Sequence, residues 1–264
     1  MKSKMIFRVR AVLIPLIIFT FAGCASTHTH DAPKPASKKE QIQALLGIAS
    51  ANVTENESIG AIETLNKVRD LDDSIPECYY LYALAYLNKG ETRLALESAR
   101  YAVKLDPKYS AAKNTLGKIL MDQGKFDEAE KYLSESANDL LFREAYLPKI
   151  NLGILNYKRM DLEKSERWLN SAIKEGNLSF TCLAYFYRGK VKLARNQLLS
   201  SERDLSLSTK GTCSGMSEAH IAFGQILVRE KKFDQARAKF VEIQRIFPTS
   251  EAYDLATQYL KDLP

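Results

Sequence analysis

The apolar positions of this 264-residue chain fall into three regimes. Ala11 to Phe21 is an apolar run broken only by Pro15 and Thr20, and it follows Met1 to Arg10, which carries Lys2, Lys4, Arg8 and Arg10 and no acid. Ala25 to Lys39 has no apolar periodicity and contains Pro33 and Pro35, the pattern of an extended tether. From there to the end, apolar residues recur at helical spacing, and the pattern repeats itself. Gly124 follows Gly90, Ala129 follows Ala95 and Gly117 follows Ala83, each at an interval of 34 residues. A fixed period of this length predicts a stack of like units, each burying its apolar face on its neighbours. At the end, Ala252, Leu255, Tyr259 and Leu260 share one face of a predicted helix over 250–263, as a capping element requires.

These residues resemble the tetratricopeptide repeat, a helix-turn-helix unit with small residues at its eighth and twentieth positions and large ones at the fourth, seventh, eleventh and twenty-fourth. Two antiparallel helices approach closely only where side chains are small, and bulky neighbours fill the adjoining grooves. Along the chain the pattern gives repeat starts at 42, 76, 110, 146, 182 and 217, separated by 34, 34, 36, 36 and 35 residues. Ile48-Ala49, Tyr82-Ala83, Leu116-Gly117, Leu152-Gly153, Arg188-Gly189 and Phe223-Gly224 mark the large-small pair of each repeat. The first repeat is degenerate and the fifth has the weakest pattern. The expected fold is all-α: a solenoid of about six repeats plus a C-terminal capping helix, over residues 40–264.

Charge and chemistry narrow the function. The formal net charge is +6, but four of the 38 basic residues lie in the first ten positions; without them 34 stand against 32 acids, a net of +2. No basic stripe remains to favour nucleic acid. There is no Gly-rich phosphate loop, no H-E-x-x-H and no G-x-S-x-G, so neither an enzyme nor a bound cofactor is expected. His28, His30 and Asp31 fall on the tether and lack the surrounding support of a metal site, so no metal is expected. His220 and Trp168 occupy packing positions.

Four cysteines remain to be placed. Cys182 opens the first helix of the fifth repeat and Cys213 follows its second. Antiparallel helices bring those ends together, which makes a Cys182–Cys213 disulfide an expectation. It would close a loop of roughly 30 residues and stabilise by roughly 3 to 4 kcal/mol in the chain-entropy picture. Cys78 reads as a small buried apolar residue.

Phe21-Ala22-Gly23-Cys24 resembles the bacterial lipobox, Leu-Ala/Ser-Gly/Ala-Cys, with Phe in place of the usual Leu. Eleven apolar residues at about 1.5 Å each fall short of a hydrocarbon core of roughly 30 Å, which fits a cleaved signal better than a retained span. The resemblance implies a signal peptide over 1–23, acylation of Cys24 as the new N-terminus, and a lipidated tether over 24–39. Ala25, where an Asp would retain the protein in the inner membrane, implies a lipid-anchored, periplasm-facing protein of the outer membrane.

The repeat resemblance also implies a concave face lined by set positions of each first helix. Here they include Leu46, Tyr80, Leu84, Leu87, Ile150, Ile154, Tyr157, Phe186, Leu193, Ile221 and Val228, with Asn88, Asn114, Lys118, Lys158, Lys190, Gln225 and Arg229 among them. So many apolar side chains on one face predict a groove for a polypeptide. Signal, lipobox, tether and repeats together resemble the outer-membrane pilotins of type IV pilus systems, lipoproteins of the PilF, PilW and Tgl type. "NLGILNYKRMDLEKSERWL" (151–169) is similar to the family's fourth repeat, and 218–252, ending in Phe247-Pro248-Thr249-Ser250, to its sixth. A cysteine pair in the later repeats is a feature of that family too. The resemblance implies that the partner is a secretin subunit, carried to the outer membrane without catalysis. The alternative is a general envelope adaptor for cell-wall or outer-membrane assembly machinery.

Overall fold

A computed structural model describes residues 37–176 and 178–264, with side chains at 177–180 left aside. The signal segment, Cys24 and His28 to Asp31 lie outside the described residues. Within them thirteen α-helices follow one another: α1 (Lys38–Thr54), α2 (Ser58–Leu71), α3 (Pro76–Asn88), α4 (Thr92–Leu105), α5 (Ser110–Asp122), α6 (Phe126–Ala137), α7 (Tyr146–Lys158), α8 (Leu162–Glu175), α9 (Leu178–Ala194), α10 (Leu198–Ser208), α11 (Ser217–Arg229), α12 (Phe233–Ile246) and α13 (Glu251–Asp262). They form six hairpins and a final single helix, and each hairpin packs on the next.

The first helices of four repeats begin at the residues the pattern predicts: 76, 110, 146 and 217. α1 and α9 begin four residues earlier than expected, one extra turn each. For α1 the cause is a capping box. Ser37 Oγ accepts from the Glu40 amide (3.3 Å), while the Glu40 carboxylate accepts from the Ser37 amide (2.7 Å). Ser37 to Lys39, within the segment read from the sequence as tether, thus belong to the cap and first turn of α1.

Every hairpin turns the same way. Asn56, Gly90, Gly124, Met160, Asn196 and Lys231 all adopt positive φ, between 59° and 81°. Each is the fifteenth residue of its repeat. After each, the next amide donates back to a carbonyl five residues earlier, as Asp161 does to Asn156 (2.9 Å) and Glu91 to Tyr86 (2.8 Å). This closes the helix end by satisfying its last free carbonyls. Glycine serves at 90 and 124, where a β-carbon would be strained.

The small positions hold the two helices of a hairpin together. A Cβ built on Gly117 would stand 2.6 Å from Leu133, on Gly153 2.5 Å from Leu169, on Gly189 2.8 Å from Leu205 and on Gly224 2.6 Å from Phe240. All four large partners are fully buried. In the second repeat the opposing pair is Ala83 and Ala99, both buried. Ser165 and Ser201 replace alanine at the twentieth position and donate to the carbonyls of Gly153 (2.7 Å) and Gly189 (2.8 Å), which satisfies hydroxyls that would otherwise be stranded in the core.

Successive hairpins are also joined by charge. Glu130, Glu166 and Glu202, spaced 36 residues apart, pair with Arg159 (2.6 Å), Arg195 (2.5 Å) and Lys232 (2.7 Å) of the following repeat. Repeat five departs most from the apolar pattern, and an ion pair explains it. Arg188 donates from Nε and Nη2 to the two oxygens of Asp204, both at 2.7 Å, and Lys192 reaches the same carboxylate at 2.7 Å. Asp204 is 1% exposed. The bidentate geometry and second cation offset its desolvation, and Arg188 takes the seventh position, where other repeats place Ile48, Tyr82, Leu116, Leu152 or Phe223.

Candidate partner-binding surface

None of the eleven residues read as an open groove is fully exposed. Leu46, Ile150, Phe186 and Ile221, the fifth residue of their repeats, are buried, as is Ile154. This row sits between consecutive first helices, so the stacking of α7 on α9 and its counterparts covers it. Tyr80 belongs to the same row, half-buried with its ring 5.2 Å from that of Tyr109, and Asn114 is its polar member. The twelfth residues, Leu87, Tyr157, Leu193 and Val228, together with Leu84, are half-buried and leave a narrower apolar strip at the surface. Five of the eleven residues thus serve the stack itself, and the six half-buried ones form the strip.

Near the C-terminal end the strip deepens into a recess of about 380 Å³ between α9, α11 and α13. Phe186, Leu193, Ile221 and Leu255 supply its apolar lining, and Lys190, Gln225, Glu218 and Glu251 its polar rim. The capping helix is therefore a wall of the recess as well as a lid on the core.

Below it, Cys182 and Cys213 are joined, with Cα atoms 5.9 Å apart. The bridge ties the start of α9 to the short 3-10 turn over Gly211–Cys213 that follows α10. Cys78 is buried, its Sγ 3.6 Å from the Leu65 carbonyl, and burial pushes its pKa up to about 12, which keeps it an unreactive thiol.

His220 is buried and polar-satisfied. Its Nε2 contacts the Ser214 carbonyl (3.0 Å) and Nδ1 the Lys239 ammonium (2.9 Å). The neutral ring, with Nε2 as donor and Nδ1 as acceptor, fits both contacts. Burial first, and then the Lys239 charge, hold its pKa below the ordinary value. It packs edge-on against Phe247, a structural role. Among the described residues no group of three His, Cys, Asp or Glu side chains is placed to hold a metal, and no helix is long and apolar enough to cross a membrane.

Paired helices locked small against large and a common left-handed turn define a tetratricopeptide-repeat fold; residues 80–145 match the tetratricopeptide repeat family. In sequence the chain is similar to the type IV pilus assembly protein PilF of Pseudomonas aeruginosa, at 23% identity over 171 residues, 63% of this chain and 66% of that protein, just under two thirds of its length. In structure it is similar to P. aeruginosa PilF (TM-score 0.71, 17% identity, 84% of this chain and 99% of that one). It is similar also to PilW, a widely conserved type IV pilus biogenesis factor (TM-score 0.72, 16% identity, 82% and 98%). The APC/C hetero-tetramer Cut9–Hcn1 gives a TM-score of 0.73 at 17% identity, over 83% of this chain and 42% of that one. At such identities a structural likeness establishes the fold.

Proposed function

We propose that this chain is a lipid-anchored pilotin that binds a type IV pilus secretin and assists its targeting to, and assembly in, the outer membrane. The observation that carries the reading is length. The solenoid accounts for nearly the whole of both pilus-biogenesis structures, 99% and 98%, whereas it covers less than half of the Cut9 chain, which matches equally well in fold. The lipobox ending at Cys24 supports the anchor. Acyl chains contribute about 0.8 kcal/mol per buried methylene, so more than one chain holds a soluble domain on a bilayer durably. Binding energy does the work: tethering one partner at the membrane raises its effective concentration there.

The test is deletion of the gene followed by blotting of heat-stable secretin multimers. Their loss, restored by the wild-type chain and not by Cys24→Ala, is expected. Unchanged multimers and normal pili in the deletion strain would defeat the proposal in favour of an envelope adaptor. Labelled palmitate is expected in the mature wild-type product and absent from Cys24→Ala.

A further inference from the structure

On the face built by the first helices, seven polar side chains named above stand among the apolar strip, and six of them have internal partners. Asn88 donates to the Val53 carbonyl (2.8 Å), and Asn114 accepts from Asn151 (2.9 Å). Lys118 and Lys158 share Asp122 (3.2 and 3.9 Å). Gln225 donates to the Tyr259 hydroxyl (3.1 Å), and Arg229 reaches Asn196 (3.4 Å). Lys190, the seventh, reaches no oxygen among the described residues. Its Nζ stands instead 5.0, 5.2 and 5.5 Å from the ring centroids of Tyr157, Phe186 and Tyr187.

That arrangement is incomplete in a specific way. Ring faces attract the positive charge but accept none of its three N–H bonds well. Burial disfavours the charge, holding the Lys190 pKa below the usual lysine value. The side chain rims the recess, next to the apolar lining of Phe186, Leu193 and Ile221. A cation already stripped of part of its water and fixed by aromatic walls is preorganised for an anion, because much of its desolvation and ordering precedes binding.

We propose that Lys190 anchors an acidic side chain borne on an apolar segment of a partner polypeptide, with neighbouring apolar side chains of that segment filling the recess. Glu218 and Glu251 line the same recess. They repel a second acid and so set the register, admitting one carboxylate on the α9 side. An internal side chain fits better than a chain end, since the half-buried strip continues past the recess to Tyr157 on α7 and Val228 on α11. The inference rests on the reading of this chain as a polypeptide-binding scaffold and names the chemistry its partner must carry.

The test uses the full mature chain in detergent and three labelled nonapeptides, measured by fluorescence polarisation. One is blocked at both ends with a central Glu among Leu and Phe residues; the second is its Gln twin; the third is the Gln twin with a free C-terminal carboxylate. The wild type is expected to prefer the Glu peptide over both others by about ten-fold, the scale of one charge-assisted hydrogen bond. The preference should fall below about two-fold in Lys190→Gln and persist in Lys190→Arg, both retaining wild-type helicity by circular dichroism. Equal affinity for the Glu and Gln peptides overturns the proposal. So does a preference that survives Lys190→Gln, tighter binding of the free carboxylate, or binding of none of the three. Secretin capture is scored separately. A Lys190-dependent Glu preference in a protein whose deletion leaves secretin multimers intact keeps the site and removes the pilotin reading; equal secretin capture by wild type and Lys190→Gln does the reverse.

Discussion

Replacing Gly153 by alanine sets two opposing terms against each other. In the middle of α7, alanine is favoured over glycine by about 1 kcal/mol through backbone entropy. The added Cβ, however, would stand 2.5 Å from both Cγ and a methyl carbon of Leu169, a fully buried side chain. Cγ is the inner part of that side chain, so relief requires moving the whole residue off its rotamer or spreading the hairpin, and overpacking of this kind costs about 1 to 3 kcal/mol. Overpacking wins, and Gly153→Ala is expected to destabilise by about 1 kcal/mol net. Gly47 provides the control: it lies in α1, exposed, with nothing within 4 Å of a built Cβ. Gly47→Ala should therefore stabilise by about 0.5 to 1 kcal/mol. The decisive measurement is a double-mutant cycle by urea unfolding followed by circular dichroism. With Leu169→Ala the obstruction is gone, and Gly153→Ala should change sign and become stabilising by up to about 1 kcal/mol. If Gly153→Ala has the same sign in both backgrounds, the small-against-large account of the hairpin is refuted.

Met160 holds φ at 62° with its side chain 70% exposed, so Met160→Gly removes strain without losing packing and should stabilise by about 1 kcal/mol in thermal unfolding. Asp204→Asn leaves Arg188 and Lys192 facing a neutral amide in a buried site and should cost about 3 kcal/mol, against less than about 0.5 for Glu163→Gln in the exposed pair with Arg167. Replacing Cys182 and Cys213 with serine should cost about 3 to 4 kcal/mol. A thiol count on the unfolded, unreduced, delipidated wild type should find one group, Cys78, and a count of three would remove the bridge. Because the folded His220 pKa lies below the ordinary 6.5, the unfolded chain binds the extra proton first. The melting temperature should fall as pH drops below about 6.5, and His220→Gln should flatten that slope.

The fold was legible because its strongest constraint is steric and local. Gly117, Gly153, Gly189 and Gly224 face their large partners across four of the six hairpins, and a residue missing its side chain is visible in a sequence. The extra first turns of α1 and α9 were not, since the small-large pattern begins after them and a capping box of two residues at Ser37 and Glu40 decides one of them. The weak pattern of the fifth repeat had no visible reason in sequence, because the partner of Arg188, Asp204, lies 16 residues away on the other helix. The ladder of Glu130, Glu166 and Glu202 was visible in principle, as a 36-residue phase in charge instead of size. The candidate groove was the least legible part. An apolar residue on a first helix looks the same whether it faces solvent, like part of Leu193, or the next first helix, like Ile150. Lys190 was visible as one polar residue among seven, and only three-dimensional packing distinguishes the one without an oxygen partner.

The Cys182–Cys213 bridge closes inside a single repeat, and this sets how far the chain can extend when it is pulled from its two ends. Under tension every repeat surrenders its contour as it opens, except the 31-residue interval that the bond short-circuits, which withholds roughly 100 Å of extension at about 3.4 Å per residue. The reach of the fully stretched chain is shortened by covalent chemistry in the fifth repeat, and reduction of that one bond would lengthen it.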